Sequence, residues 1–165
     1  MKRLNRAGKG FSLVELMLVM AVMAMIATLA IGAVAQASKA SREKRIEAVR
    51  FTLYTALINY KAQVGTWPVG LQPKRKEDTT VSFSNEENWQ VFDPLIPRKG
   101  TKKGSYFDAS AVLTKINGKV MTVQEAIEQG KTPIPLGYAD PKDQSKFCYF
   151  DVSFNLIADT VSVNR

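Results

Sequence analysis

From Phe11 to Ala35 the chain carries only three polar or charged side chains, Ser12, Glu15 and Thr28. Twenty-five residues at about 1.5 Å each make a helix of roughly 37 Å. That exceeds the roughly 30 Å hydrocarbon core of a bilayer. The run must therefore be covered by lipid or by equally apolar neighbours. A secretory signal peptide is the competing reading. Its apolar region spans about 7–15 residues and ends in a small-residue cleavage site. Ala33, Ala35 and Ala37 offer such a site, but this run is longer. Hydrophobic residues make up an ordinary 45% of the chain, so their segregation is the unusual feature.

The charges bear on orientation. Lys2, Arg3, Arg6 and Lys9 precede the run with no acid among them. This places the N-terminus in the cytoplasm by the positive-inside rule. Lys39, Arg42, Lys44 and Arg45 follow the run, interleaved with Glu43 and close to Glu47. The whole chain has a net charge of +8, and residues 11–165 keep 19 basic and 15 acidic residues, a balance of +4. Half of the basic excess is thus a targeting feature, which argues against a nucleic-acid partner. There is no histidine and a single cysteine, Cys148. Ser–His and Cys–His nucleophile pairs are excluded, and no other constellation points to an enzyme. An internal disulfide is excluded too, so the soluble part depends on its core.

Glu15 stands inside the apolar segment, where an acid costs roughly 2.5–3.5 kcal/mol on insertion scales. Ser12 and Glu15 have the S-x-x-E spacing of a capping box, so the carboxylate can satisfy backbone donors at the helix start. It can also pair with a positive charge on another molecule. The two roles are compatible.

Lys9-Gly10-Phe11-Ser12-Leu13-Val14-Glu15-Leu16 resembles the class III signal of type IV prepilins and type II secretion pseudopilins. The resemblance implies cleavage by a membrane prepilin peptidase between Gly10 and Phe11, and methylation of Phe11. Glu15 would then be the fifth mature residue, the family's near-invariant glutamate. Its partner would be the α-amine of Phe11 in a neighbouring subunit. Further on, Tyr60 to Leu71 is similar to the stretch of major pseudopilins where the long helix ends in Gly-x-aromatic-Pro and Gly-Leu follows. Gly104-Ser105-Tyr106-Phe107-Asp108 resembles a segment of some pseudopilins. The family's Asp-Pro-Trp-Gly stretch is missing, and Leu136-Gly137-Tyr138-Ala139-Asp140-Pro141 matches it only loosely. Many type IV pilins close a C-terminal loop by a disulfide, which this chain cannot form.

Beyond the apolar run, Ile46, Val49, Leu53, Leu57, Tyr60 and Val64 recur at helical spacing. Gly65 and Pro68 end the pattern. One helix from Ser12 to Val64 follows, with a break near Gly32 or Ser38 as the alternative; a helical glycine costs about 1 kcal/mol. Lys74 to Asp78 reads as a charged loop, and Arg98, Lys99, Lys102 and Lys103 as a second, solvated one, with contact to an acidic partner or nucleic acid as the alternative; no interleaved aromatics strengthen the nucleic-acid case. Asn85 to Asp93 suggests a short helix with Trp89 and Phe92 on one side and Pro94 beyond its end. Ala111–Ile116 and Lys119–Thr122 flank Asn117-Gly118, a hairpin with a type I′ turn. Thr122 and Glu125 cap a short helix that Gly130 stops. Pro133 and Pro135 impose extended backbone. Phe150, Val152, Phe154 and Leu156 alternate with polar residues in a strand, and Val161 and Val163 provide its return.

The expected fold is α+β: a long N-terminal helix packed on a small antiparallel β-sheet head. Its expected divisions are a leader over 1–10, removed on processing, a transmembrane and filament-core helix over 11–36, and a periplasmic head over 37–165 with an amphipathic helix over 37–64. Major pseudopilins often hold calcium, and Asp140, Asp143, Asp151 and Asp159 are the candidate ligands here, although no EF-hand spacing is present. Turn aspartates commonly serve the turn itself. Cys148 reads as a small core residue. No other cofactor is expected. The expected function is a structural subunit of a type II secretion pseudopilus, in a homo- or hetero-oligomeric filament raised by an inner-membrane assembly platform and its ATPase. Ala21, Ala24, Ala27, Ala30 and Gly32 are small enough for helices to approach closely. A type IV pilus subunit for adhesion, motility or DNA uptake is the alternative, and a monomeric membrane-tethered protein a further one.

Overall fold

The computed structural model describes residues 11–71, 79–96 and 106–165. The leader with Gly10, the loop over 74–78, the basic loop over 98–103 and the Gly104-Ser105 pair lie outside the described residues. The first element, α1, is a single helix over Leu13–Val64. It continues through Gly32 and Ser38, so neither breaks it. The chain divides into two compact units with the boundary after Ser41, inside α1.

In the first unit, every side chain described from Phe11 to Ala37 is exposed. By length and composition this part of α1 can cross a membrane.

The second unit begins at Arg42 and holds the core. Ile46, Leu53, Ala56 and Leu57 are buried, with Val49 and Tyr60 half-buried beside them. The amphipathic stripe is therefore as the spacing predicts up to Tyr60. Val64 departs from it and is exposed. It is the last helical residue, and Gly65 turns the chain away at φ 84°, a left-handed conformation that suits glycine.

Among the described residues the β structure forms two antiparallel sheets, where the sequence suggests one. β1 (Thr80–Phe83), β6 (Asp151–Asn155) and β7 (Thr160–Asn164) form a three-stranded sheet in the order β1-β6-β7. β2 (Leu113–Ile116), β3 (Lys119–Thr122), β4 (Leu136–Ala139) and β5 (Phe147–Tyr149) form the other, ordered β3-β2-β4-β5. The chain changes sheets at Phe150, between β5 and β6. This residue is fully buried, and its N–H donates to the Leu136 carbonyl at 3.1 Å. An apolar side chain pinned at a one-residue junction lets two consecutive strands belong to different sheets.

Local signals hold closely. Asn117 and Gly118 both have positive φ, 52° and 79°, as a type I′ turn requires. Thr122 Oγ1 accepts from the Glu125 N–H at 3.2 Å, and Glu125 Oε2 accepts from the Thr122 N–H at 2.9 Å. This capping box opens α3 (Val123–Glu128), and Gly130 follows at φ 66°. In β6 and β7, Val152, Phe154, Val161 and Val163 face the core, while the Ser82 and Ser153 hydroxyls pair at 2.9 Å on the other face.

The segment from Asn85 departs from expectation. A 3₁₀ turn over Asn85–Asn88, a single α-turn α2 (Trp89–Phe92) and a 3₁₀ turn over Asp93–Leu95 replace one helix. Pro94 sits inside the last turn. The inward positions are Asn88, Val91, Phe92 and Leu95, so Trp89 lies off that stripe and Phe92 does not share its side. Cys148 is half-buried in β5 instead of lying in the core, because β5 is the edge strand of its sheet.

Candidate functional site

The start of α1 brings Phe11, Ser12 and Glu15 together. Ser12 precedes the first helical residue and acts as its N-cap. Its Oγ accepts from the Val14 N–H at 3.3 Å, and its carbonyl accepts from the Leu16 N–H at 3.2 Å. Glu15 reaches back, and its Oε2 accepts from the Ser12 N–H at 2.9 Å. Two donors that a helix start leaves without partners are thereby satisfied, and the carboxylate sits favourably at the positive end of the helix. The capping role of Glu15 is met within one chain. Only one of its oxygens is used: Oε1 has no partner among the described residues. Phe11 is 84% exposed immediately before the cap.

Of the aspartates named as calcium candidates, Asp140 and Asp143 share the β4–β5 connection, and Asp151 and Asp159 lie elsewhere. Asp140 Oδ1 accepts from the Lys142 N–H at 2.7 Å. Asp143 Oδ1 accepts from the Ser145 hydroxyl at 2.6 Å and from its N–H at 3.1 Å. These bonds, the hydroxyl first, hold the Asp143 carboxyl below its ordinary value. Asp151 is the first residue of β6. Asp159 turns the chain between β6 and β7 at φ 52°. Among the described residues no group of three or more His, Cys, Asp or Glu side chains is placed to hold a metal ion. The four candidates are therefore not gathered into such a group.

Asp159 has a different role that its sequence position does not announce. It forms an ion pair with Lys61 and accepts from the Trp67 indole N–H at 2.9 Å. Lys61 Nζ also lies 4.3 Å from the centre of the Trp67 ring, a cation–π contact. The hydrogen bond from Lys61, followed by that from Trp67, lowers the Asp159 carboxyl below its ordinary range. The last turn of α1 is thus stapled to the β6–β7 turn, and Trp67 packs edge-on against Phe154 at 5.2 Å.

Residues 5–31 match the family model described as the prokaryotic N-terminal methylation motif. This stretch holds Gly10, Phe11, Ser12 and Glu15 and most of the apolar run. The match supports a type IV pilin-like protein that carries a class III signal peptide. No curated protein and no solved structure gives a significant match.

Proposed function

We propose that this chain is a structural subunit of a type II secretion pseudopilus. The observation that carries the reading is the methylation motif over 5–31, set at the start of a helix whose side chains described over 11–37 are all exposed. In this proposal prepilin peptidase cuts between Gly10 and Phe11 and Phe11 is methylated. The precursor waits in the inner membrane as a single-pass protein with a periplasmic head. An assembly platform and its ATPase then move the stem from lipid into a bundle of like stems, where small residues such as Ala21, Ala24 and Gly32 permit close packing. The Glu15 carboxylate, whose Oε1 has no partner among the described residues, meets the Phe11 amine of the adjacent subunit. The role is structural, and the absence of histidine from the whole chain agrees with it.

A type IV pilus subunit is the second reading, since the same signal serves both. The single cysteine favours the pseudopilus, because the C-terminal loop cannot be closed by a disulfide.

N-terminal sequencing and intact mass of the native protein test the proposal. The expected chain begins at Phe11 and carries one extra methyl group. A chain beginning near Ser38 would mark an ordinary signal peptide and remove the filament reading. Deleting the gene separates the two filament types. Lost protein export with unchanged surface filaments supports the pseudopilus, and lost surface filaments with normal export supports the pilus.

A further inference from the structure

A cleft of about 480 Å³ opens beside the β2–β3 turn in the second unit. Glu86 and Trp89 line it from the segment that begins at Asn85, Lys115 from β2, Lys131 and Pro133 from the α3–β4 connection, and Tyr149 from β5. Its volume lies within the range of small-ligand sites, roughly 300–1,000 Å³.

Trp89 is 36% exposed, although its neighbours Asn88, Val91 and Phe92 are fully buried. Its indole N–H meets no acceptor among the described residues. Lys115 and Lys131 form no ion pair among the described residues, in contrast to Arg50, Lys61 and Lys146. Among the described residues Glu86 is the one acid in the lining, and it accepts from the Tyr149 hydroxyl at 3.0 Å. Burial, then this bond, push the Tyr149 hydroxyl up to about 12, so it remains a donor to Glu86 at neutral pH. The lining therefore offers a flat aromatic surface, an N–H donor and two ammonium groups, none of these three polar groups engaged among the described residues.

The matching ligand has a flat C–H face, ring oxygens that accept a hydrogen bond, and a carboxylate. A uronic-acid unit carries all three on one rigid ring. A purely acidic peptide such as polyglutamate satisfies the lysines and leaves the indole without a ring to stack on. We propose that this cleft binds an acidic polysaccharide, with Trp89 stacking on a uronate ring while Lys115 and Lys131 hold its carboxylate. The inference is independent of the filament type.

Calorimetric titration of the full chain in detergent micelles with oligogalacturonate tests it, with neutral malto-oligosaccharide and polyglutamate as comparators. Saturable binding is expected, weakening by about tenfold in Trp89→Ala and by about tenfold in the Lys115→Gln/Lys131→Gln double variant. Binding should also weaken as salt is raised, because the lysine–carboxylate attraction is screened. The double variant keeps side chains of similar length at polar positions, so it reads binding even if Trp89→Ala disturbs the fold. No saturable binding to oligogalacturonate, equal binding by the lysine variant, or equal affinity for polyglutamate would each overturn the proposal.

Discussion

Asn88 and Leu136 are joined reciprocally: the Asn88 amide donates to the Leu136 carbonyl at 2.7 Å, and the Leu136 N–H donates to Asn88 Oδ1 at 3.0 Å. The same amide donates to the Phe150 carbonyl at 2.8 Å, and Asn88 is 0% exposed. One polar side chain thus holds β4 and the residue at which the chain passes from one sheet to the other. Asn88→Ala removes all three bonds inside the core. An unsatisfied buried polar group costs about 1–3 kcal/mol, so a loss of about 3 kcal/mol is expected in urea denaturation. Asn88→Asp should also destabilise, since an ionised carboxylate donates to neither carbonyl. A loss within 0.5 kcal/mol, roughly the range of an ordinary surface change, would contradict the assigned role.

Gly137 lies where β4 meets β5. A Cβ there would stand 2.3 Å from the Cys148 carbonyl oxygen and 2.5 Å from the Phe147 ring. The ring can move, but the backbone oxygen is fixed by the strand pairing. Gly137→Ala is expected to cost about 1–3 kcal/mol. It should also raise the reaction rate of Cys148 with a thiol reagent, because β5 is prised from the sheet. Unchanged stability and unchanged thiol reactivity would count against this packing.

The staple at Asp159 predicts a pH response. Its folded carboxyl is held below the ordinary 3.8 by Lys61 and Trp67. The stabilisation it gives is present above that ordinary value and is lost as pH falls through the lowered folded value. With Trp89→Phe introduced, Trp67 is the one remaining tryptophan, because the chain has two. An acid-side change in its fluorescence is expected and should disappear in Asp159→Asn. An identical step in that variant would assign the change to another group.

Glu15→Gln separates the cap from the proposed intermolecular pair. A glutamine oxygen can still accept from the Ser12 N–H, so insertion and leader removal should be normal. It cannot neutralise a neighbouring amine, and a buried charge without its partner costs about 3–5 kcal/mol. Entry into filaments, measured by cross-linking between subunits, should fall steeply. Normal assembly would show that the charge on Glu15 does not recruit the subunit.

Calcium is expected to leave the melting temperature of the chain unchanged at millimolar concentration. Asp140 and Asp143, in the β4–β5 connection, and Asp159, in the β6–β7 turn, are already engaged by backbone and side-chain donors. A rise abolished by Asp143→Asn would instead reveal a site that uses that residue.

Features carried by neighbouring residues were legible in the sequence. Asn117-Gly118 fixes a turn through φ alone, Thr122 and Glu125 close a box within four residues, and the stripe from Ile46 to Tyr60 needs only helical periodicity. The apolar run and the methylation signal are local as well. What was hidden depends on distant partners. Nothing near Asn88 says that it faces Leu136 and Phe150, and helical spacing alone sets Trp89 on one side with Phe92. β1 is four residues long and follows a charged stretch, too short for its alternation to mark a strand. The division into two sheets rests on Phe150, which a period-of-two pattern reads as one more strand position. By sequence Asp159 reads as a turn acid and a calcium candidate, because its partners Lys61 and Trp67 lie far away in the chain.

The pairing of β1 with β6 sets a timetable for the nascent chain. Thr80 stands opposite Asn155, and Phe83 opposite Val152. At about 5–20 residues per second, the ribosome takes roughly 4–15 s to travel from the first strand to its partner. The apolar start of α1 emerges well before that interval begins. During the wait, β1 is an unmatched edge that invites pairing with other chains. Translocation machinery that keeps the growing polypeptide apart from its siblings would protect it until β6 arrives. Slowing synthesis with rare codons between positions 83 and 151 should therefore increase aggregation without changing the finished protein.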